Sequence, residues 1–280
     1  MPKLNVVIGL DELRRARRRL DGEVGFVPTM GYLHEGHRSL VRRAREECRH
    51  IIVSIFVNPA QFGPGEDLSK YPRDVERDLS LLEPLSVDVV WTPTAGIMYP
   101  EGHQTWVDVA ELAKPLEGAA RPGHFRGVTT VVAKLFNAVQ PDRAYFGQKD
   151  AQQAVVIRRM TLDLNFPIEV VVCPTVREED GLALSSRNKY LDGEERKAAP
   201  VLYQALSEAK AAFDKGERSA EALRQLMREV LAAQPLAQVQ YVSCADQDTL
   251  DELQTVKGKA LLSMAVFIGK TRLIDNLVLE

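Results

Sequence analysis

Five short runs rich in β-branched and other apolar residues alternate with helical patterns over the first 173 residues. The runs predict strands at Val24–Pro28, Ile51–Val57, Val87–Trp91, Arg143–Phe146 and Ile168–Cys173. The segments between them predict helices at His34–Cys48, Arg73–Glu83, Val128–Val139 and Ala151–Asp163. Continuous apolar strands that alternate with helices are typical of a parallel sheet covered on both faces. We therefore predict a doubly wound, Rossmann-like α/β domain over residues 1–176.

The pattern changes after Cys173. Two long amphipathic segments, Leu191–Asp214 and Ser219–Ala233, have a helical period. Three strand-like runs follow at Gln238–Cys244, Ala260–Ile268 and Thr271–Val278, and Gly269-Lys270 between the last two is typical of a hairpin. Helices followed by consecutive strands indicate a smaller α+β domain, which we place at residues 177–280.

The composition is that of an ordinary soluble protein, with 45% hydrophobic and 27% charged residues. The net charge of -3 gives no general attraction to nucleic acid. One basic cluster, Arg14–Arg19, follows a helix start at Asp11-Glu12 and is flanked by Leu10, Leu13 and Leu20. We interpret it as the solvent side of a short helix rather than an RNA-binding tail.

Cysteine usage and the chain start indicate a cytoplasmic protein. The three cysteines are far apart and form no CxxC pair, which fits a reducing compartment. Met1–Leu10 carries no secretory signal, and the densest apolar run, Ile51–Val57, is too short to span a bilayer. We therefore expect no membrane partner.

The segment Pro28–His37 leaves a predicted strand, turns at Gly31 and enters a helix. Backbone N–H groups at a helix N-terminus bind phosphate readily. His34 and His37 are three residues apart, so both project from one face of the first turn. Two imidazoles there can donate hydrogen bonds to phosphoryl oxygens as charge develops in a transition state.

Three other interpretations compete for this segment. A zinc metalloprotease helix needs two histidines four apart with a glutamate between them, and a P-loop needs a glycine-rich loop that ends in Gly-Lys-Ser/Thr. Neither pattern is present. A capping turn with two surface histidines is a plainer alternative, but the strand before the pair and the flanking Gly31 and Gly36 favour a site.

Two further polar segments suit a nucleotide. Tyr145–Asp150 again follows a strand end, with Gly147 for close backbone approach, Lys149 as a point charge and Asp150 as a helix cap. Leu184–Asn188 offers two hydroxyls and a guanidinium to phosphate oxygens. Alone, Lys149-Asp150 at a helix start more often indicates simple capping, and the plainer interpretation of Leu184–Asn188 is an exposed polar turn.

The segment Phe56–Phe62 ends another buried strand and carries Gln61, and Gln153 follows later on a helix. Both side chains are neutral hydrogen-bonders. A neutral contact leaves a substrate carboxylate nucleophilic, whereas an arginine fork would stabilise its charge. Because a carboxylate is ionised at neutral pH, its attack on phosphorus needs no general base.

Together the four segments resemble the pantothenate synthetase family of HxGH nucleotidyltransferases. The family's PTMGxLHxGH, FVNPxQF and YFGxKDxQQ patterns and a late SSRN occur here in that order. A terminal TRLIDN follows at Thr271–Asn276, so the resemblance spans Pro28 to Asn276. Single motifs recur across HxGH enzymes, but the ordered set is specific.

The resemblance implies an ATP-dependent ligase that joins (R)-pantoate to β-alanine through a pantoyl-adenylate and releases AMP and pyrophosphate. It implies a proton-donor role for His37, with His34 and Lys149 as further catalytic candidates. It implies pantoate binding by Gln61 and Gln153, with Gln61 also binding β-alanine. The implied ATP-binding residues are Met30, Gly31, Tyr32, Leu33, His34, Glu35, Gly36, His37, Gly147, Gln148, Lys149, Asp150, Val176, Leu184, Ser185, Ser186 and Arg187.

The resemblance further implies a Mg²⁺ requirement, a homodimer, and a smaller C-terminal domain that closes over ATP. Two positions depart from the family pattern: Leu184 replaces a common methionine, and Tyr32 replaces a small residue. The acidic residues Asp74, Glu76 and Asp78 could help to hold Mg²⁺, but we favour an ordinary solvated helix face and assign no protein metal ligand.

Three other functions stay open at this point, of which RNA binding through the arginine cluster is the least favoured. Another HxGH enzyme would transfer AMP to a phosphate ester, although the two glutamines and the late Ser-Ser-Arg favour a carboxylate. A non-catalytic nucleotide-binding module would not need Lys149 and both histidines.

Overall fold

The computed structural model describes residues 4–280. The strands are β1 (Asn5–Val7), β2 (Val24–Thr29), β3 (His50–Ile55), β4 (Val89–Trp91), β5 (Arg143–Gly147), β6 (Glu169–Cys173), β7 (Ala237–Asp246), β8 (Ala260–Ile268) and β9 (Thr271–Leu279). The helices are α1 (Leu10–Arg17), α2 (Glu35–Glu47), α3 (Val75–Leu82), α4 (Ala95–Met98), α5 (Glu117–Ala120), α6 (His124–Val139), α7 (Ala151–Asp163), α8 (Gly193–Ala198), α9 (Val201–Asp214) and α10 (Ala220–Ala232).

Within the described range, the first six strands form one parallel sheet with the order β1-β4-β3-β2-β5-β6. From β2 the chain winds outward through β3 and β4, whereas β5 and β6 extend the sheet in the other direction. The order therefore reverses between β2 and β5. In doubly wound sheets, ligands bind at the carboxyl ends of the strands at such a switch point.

The β2–β5 ladder is short, which leaves room at this point. Its register covers Gly25–Phe26 against Arg143–Ala144. Pro28 follows on β2 and has no N–H to donate, so it suits the part of the strand beyond that ladder. The strand ends Thr29 and Gly147 therefore flank the switch point.

Apolar side chains on the two faces of the parallel sheet form separate cores, as expected for a sheet covered on both faces. Phe26 and Ile52 pack on one face with α6, while Val27 and Val53 pack on the other face with α2. All four of these strand side chains are fully buried. The rigid sheet thus fixes the strand ends that carry the polar motifs.

The chain divides into two compact units. The first comprises the described residues up to Lys114, together with Gly118–Gly147 and Gln153–Pro174. The second comprises Pro115–Glu117, Gln148–Gln152 and Thr175–Glu280. The domain limits given above, 1–176 and 177–280, remain a prediction.

The second unit is built on the antiparallel sheet β7-β8-β9. Helices α9 and α10 supply much of its apolar core, including Leu202 and Leu223. The short segment Pro115–Glu117, which ends at the first residue of α5, belongs to this unit. Its buried Glu117 accepts two hydrogen bonds from Arg272 and one from Tyr241. A buried carboxylate is tolerated where it is paired in this way.

The predicted α/β domain and the smaller α+β domain are both confirmed, with four corrections. Strand β1 was missed because it has three residues, of which one is buried. The helix predicted from Val128 begins at His124. The helix predicted at Leu191–Asp214 is two helices, since Pro200 lacks an N–H and its ring clashes with the preceding turn.

The fourth correction concerns the arginine cluster of α1. Arg14, Arg15, Arg18 and Arg19 are exposed, as predicted. Arg17 is not, because its guanidinium donates hydrogen bonds to the carbonyl oxygens of Val139 and Gln140. One member of the cluster therefore caps the C-terminus of α6.

No helix formed by residues 4–280 has both the length and the apolar character that crossing a membrane requires. Met1–Lys3, part of the segment judged for a targeting signal, lie outside the described residues.

Candidate active site

The turn between β2 and α2 has two consecutive residues in the left-handed region. Gly31 has φ of 81° and Tyr32 has φ of 50°. A Cβ on Gly31 would come within 3.0 Å of both Asp78 and Ile55, so this position requires glycine. The left-handed conformation of Tyr32 is uncommon for a bulky residue and needs support from the surrounding structure.

Asp78 on α3 supplies that support. Its two carboxylate oxygens accept hydrogen bonds from the backbone N–H groups of Tyr32 and Leu33, each at 2.7 Å. Arg77 lies over the Tyr32 ring at 4.8 Å from its centroid. Burial raises the pKa of Asp78 above its ordinary value, although the two N–H donors and Arg77 oppose this shift. The turn before the histidines is thus held by one buried carboxylate.

The location of Asp78 corrects the interpretation of α3 as a solvated acidic face. Its side chain is 1% exposed. Asp74 and Glu76 do lie at the surface, and Asp74 caps the helix by accepting from the Arg77 N–H. The hydrogen bonds of Asp78 go to the backbone, so it organises the turn.

We expect Asp78→Asn to loosen this turn. The asparagine carbonyl can accept a hydrogen bond from only one of the two backbone N–H groups, because the other would face the asparagine NH₂ group. A buried donor without an acceptor costs about 1–3 kcal/mol. Misplacement of the histidines should lower the rate of the adenylation that the sequence resemblance implies by up to about 10²-fold. Denaturant unfolding and single-turnover kinetics measure the two effects.

Asp74→Asn is the matched control, because asparagine caps helices about as well as aspartate. Unchanged stability and rate in Asp78→Asn, equal to those of Asp74→Asn, would contradict this role.

His34 and His37 lie at the start of α2, with ring centroids 4.1 Å apart. The His34 backbone N–H donates to Nδ1 of His37 at 3.3 Å. Because Nδ1 accepts in this bond, the proton of a neutral His37 is on Nε2. His37 therefore presents an N–H donor, the form that can hydrogen-bond a phosphoryl oxygen.

Glu35 belongs to the same turn, but its carboxylate pairs with Arg38 and Arg42 along α2. Its backbone N–H belongs to the first turn, where N–H groups have no partner within the helix. Any nucleotide contact of Glu35 would therefore come from its backbone.

Gln61 follows β3 and is nearly buried, and its side chain has a fixed orientation. Its Oε1 accepts from Nδ2 of Asn58 at 3.0 Å, and its Nε2 lies 3.1 Å from the Met30 sulfur. Asn58 cannot flip, because its Oδ1 accepts from the Tyr99 hydroxyl at 2.7 Å and from the Ala60 N–H. Burial raises the pKa of Tyr99 to about 12, so its hydroxyl keeps the proton that it donates.

A second network fixes the backbone of Gln61. Its carbonyl accepts from Nδ1 of His124 at 2.8 Å, and Arg121 lies beside both. Arg121 forms a two-point ion pair with Glu66 at 2.7 and 2.8 Å. Burial would raise the pKa of Glu66, but the hydrogen bonds and charge of Arg121 outweigh it and lower that pKa. An arginine thus lies near Gln61 with its charge already balanced.

The second unit holds the other predicted nucleotide residues. Gln148–Asp150 form a short 3₁₀ turn, and the Lys149 ammonium lies 3.6 Å from the Asp150 carboxylate. The Gln148 side chain is hydrogen-bonded to Asn276. Gly147, which precedes the turn, ends β5 in the first unit, and Gln153 lies half-buried on α7 in the same unit.

Val176 and Leu184 are brought together by a turn in the second unit. The Leu184 N–H donates to the Val176 carbonyl at 3.0 Å. Ser185 accepts from the Arg187 N–H and caps the 3₁₀ turn Ser186–Tyr190. This capping agrees with the plainer interpretation of the segment, but its residues are half-buried rather than exposed.

The sequence motifs did not reveal the supporting residues. Asp78, Tyr99, Arg121 and His124 lie outside the quoted segments and act on them through the fold. The signal for His124 was a histidine just before an apolar helical pattern, which alone predicts nothing. Buried hydrogen bonds between distant segments need coordinates to be seen.

The parallel sheet, with its histidine-bearing turn beside the switch point, defines a doubly wound α/β protein of the HxGH type. The sequence profile described as Pantoate-beta-alanine ligase matches residues 5–278. The chain belongs to the pantoate–β-alanine ligase family.

Known relatives match over nearly the whole chain. A pantothenate synthetase of Roseiflexus sp. (strain RS-1) is 63% identical over 277 residues, which cover 99% of this chain and 100% of the relative. A crystal structure of pantothenate synthetase from Thermus thermophilus superposes with a TM-score of 0.94 at 51% identity, covering 98% and 99% of the two chains. A crystal structure of a Francisella tularensis pantoate-beta-alanine ligase, solved with beta-gamma ATP and beta-alanine, superposes with a TM-score of 0.80 at 35% identity. The match covers 98% of this chain and 97% of that chain.

Proposed function

We propose that this protein condenses (R)-pantoate with β-alanine at the expense of ATP, through a pantoyl-adenylate, with release of AMP and pyrophosphate. Membership of the ligase family supports the reaction. The single structural observation that supports it most is the hydrogen bond from the His34 N–H to Nδ1 of His37, which places the proton of a neutral His37 on Nε2. An adenylating enzyme needs such a donor where phosphoryl charge develops.

In the first step, a pantoate carboxylate oxygen forms a bond to the α-phosphorus of ATP. The bond from that phosphorus to the bridging oxygen breaks, and pyrophosphate leaves with the electron pair. We assign the α2 N-terminus and His37 to hydrogen bonding with phosphoryl oxygens, with His34 beside them. Lys149 supplies a point charge, which is worth most in a site that excludes water.

Pantoate binding is assigned to Gln61 and Gln153, and Gln61 also serves β-alanine. The hydrogen bond from Asn58 occupies Oε1 of Gln61, so Gln61 offers Nε2–H groups to its ligand. An N–H donor from a neutral amide orients a carboxylate without pairing its charge. The nearby Arg121 is balanced by Glu66, which preserves the nucleophile.

In the second step, the free amine of β-alanine attacks the acyl carbon of the adenylate. A C–N bond forms, the bond from the acyl carbon to the phosphate oxygen breaks, and AMP leaves. The amine proton goes to solvent or to the leaving phosphate. We assign no carboxylate or lysine of the motifs as a dedicated base.

Mg²⁺ is proposed as the companion of ATP, where it would neutralise phosphate charge. Mg²⁺ is commonly bound by substrate phosphates, waters and one or two carboxylates. Over the described residues, no group of three or more His, Cys, Asp or Glu side chains is arranged to hold a metal. That the protein supplies no ligand to the ion remains a prediction. We also propose a cytoplasmic homodimer that binds no nucleic acid.

Isotope transfer tests the reaction directly. Pantoate labelled with heavy oxygen in its carboxylate should pass one labelled oxygen to AMP, because that oxygen bridges the acyl and phosphoryl groups of the adenylate. Mass spectrometry of AMP and inorganic phosphate reads the outcome. Label in phosphate instead of AMP would indicate an acyl phosphate and reject the proposed route.

The two half-reactions are expected to differ in pH dependence. Adenylation uses an ionised carboxylate, so above about pH 5 it should change only as the histidines titrate. Acyl transfer needs a free amine, whose ammonium titrates near the lysine value of about 10, so its rate should rise well beyond the histidine range. Single-turnover rates of each step test this. An acyl-transfer plateau near about pH 6.5 would make His37 the general base.

A further inference from the structure

The motif Thr271–Asn276 has no role in the proposed reaction, yet three of its polar residues are buried. It forms the first part of β9, and Thr271, Asp275 and Asn276 are 6%, 3% and 4% exposed. Burying polar side chains is costly unless hydrogen bonds compensate. The partners of these side chains therefore indicate what the motif is for.

Asn276 holds the turn that carries Lys149. Its Nδ2 donates to the carbonyl oxygens of Gln148 at 3.0 Å and Lys149 at 2.8 Å. Its Oδ1 accepts from Nε2 of Gln148 at 3.0 Å. Both donors of the amide are thus used on one turn of three residues. All these residues belong to the second unit.

The two carbonyls lie on either side of the Lys149 Cα atom. The Gln148 carbonyl belongs to the peptide unit before this atom, and the Lys149 carbonyl to the unit after it. Because peptide units are planar, fixing both of them fixes φ and ψ of Lys149. The direction of its Cα–Cβ bond, and so the origin of its side chain, is then set.

Asparagine suits this task better than its near-isosteres. Aspartate has no donor for the carbonyl oxygens, and serine has one donor where two are used. Asp275, the preceding residue, points to the opposite face of the strand. There it accepts two hydrogen bonds from Arg177 at 2.6 and 2.9 Å, and its Oδ1 also accepts from the Asn276 N–H. The strand position of Asn276 is thereby anchored.

We propose that Asn276 is a positioning residue for adenylation: its side-chain amide fixes the backbone on both sides of Lys149 and so directs the lysine ammonium. This inference rests on the proposed function of Lys149 as a phosphate-binding charge. In this role Asn276 acts through Lys149 rather than on a substrate.

A double-mutant cycle separates positioning from a merely structural role. Asn276→Ala in the otherwise native protein should lower the adenylation rate by about 10–10²-fold, as misplacement of a catalytic group can. In the Lys149→Met background, Asn276→Ala should lower the adenylation rate by less than about threefold, because the group to be positioned is absent. Pantoate-dependent single-turnover adenylation at saturating ATP measures all four rates.

Ile268→Val is the matched control, since it loosens the core of the same sheet at a fully buried position without touching residues 148–150. Ile268→Val should leave the adenylation rate within about threefold of the native value, whereas Asn276→Ala should lower it by more than that. If Asn276→Ala fails to fold, the cycle is run with Asn276→Ser, which retains one donor and should give a smaller loss.

If the rate of the double variant is lowered by the product of the two single-variant factors, the positioning role is overturned, because Asn276 would then act independently of Lys149. A native adenylation rate in Lys149→Met alone would overturn it too. That result would reject the assigned role of Lys149 as well, whereas multiplying losses leave that assignment intact.

Discussion

His37→Ala is expected to lower the rate of pantoyl-adenylate formation by about 10²–10³-fold, the usual cost of losing one preorganised donor to a developing charge. This role needs the proton of a neutral His37 on Nε2, which is the tautomer in which Nδ1 accepts from the His34 backbone N–H. Rapid-quench measurement of adenylate with ATP, magnesium and pantoate, before β-alanine is added, isolates this step.

Two further variants separate the chemistry of His37 from its contact with the helix start. His37→Asn keeps an acceptor near the Nδ1 position and loses the Nε2–H, so it should retain stability but be as slow as His37→Ala. Glu46→Ala, at an exposed position on the same helix, should behave as the native protein. A rate for His37→Ala within about threefold of native, far below the usual loss, would return His37 to a structural role.

Lys149→Met is expected to reduce adenylation by a similar factor of about 10²–10³. Methionine retains much of the apolar length of lysine but removes the ammonium, so the change tests charge rather than packing. Since the ion pair with Asp150 is between partly exposed side chains, its loss should alter stability little. Adenylation rates and thermal unfolding of the same preparations give both quantities.

Lys197→Met is the control for Lys149. Lys197 is also in the second unit and also pairs with a carboxylate, that of Glu194, but both side chains are largely exposed. Its replacement should leave adenylation unchanged. Equal rates for the two lysine variants would show that the ammonium of Lys149 contributes nothing to the reaction.

The strands and most helices of the first unit could be predicted because each apolar run is long enough to show its period. Val24–Pro28 was predicted and β2 spans Val24–Thr29, whereas β1, with three residues and one buried side chain, gives no periodic signal. Pro200 shows a local rule that was missed: the helical period continues across it, but the backbone cannot.

The site could be predicted only where its residues are contiguous. His34 and His37 share one turn, so spacing alone placed them on one face of α2. Asp78 is 46 residues from Tyr32, and an acidic residue on an amphipathic helix normally faces solvent. Its burial follows from how α3 packs against the turn. The pattern of α3 alone does not contain that information.

The motif at the end of the chain shows the same limit. Its sequence indicated a family but predicted no role for Asn276. The task became visible once β9 placed its amide against the carbonyls of Gln148 and Lys149. Hydrogen bonds that join residues more than a hundred positions apart cannot be inferred from local pattern.

The exchange of labelled pyrophosphate into ATP is the sharpest test of a reversible, pantoate-dependent adenylation. Exchange is expected when pantoate is present and β-alanine is absent, because a reversible first step forms the adenylate without the amine. A panel of small hydroxy acids and phosphate esters defines which acceptor supports exchange, and pantoate should exceed them all. Exchange that requires β-alanine, or that follows a phosphate ester instead of pantoate, would contradict the account.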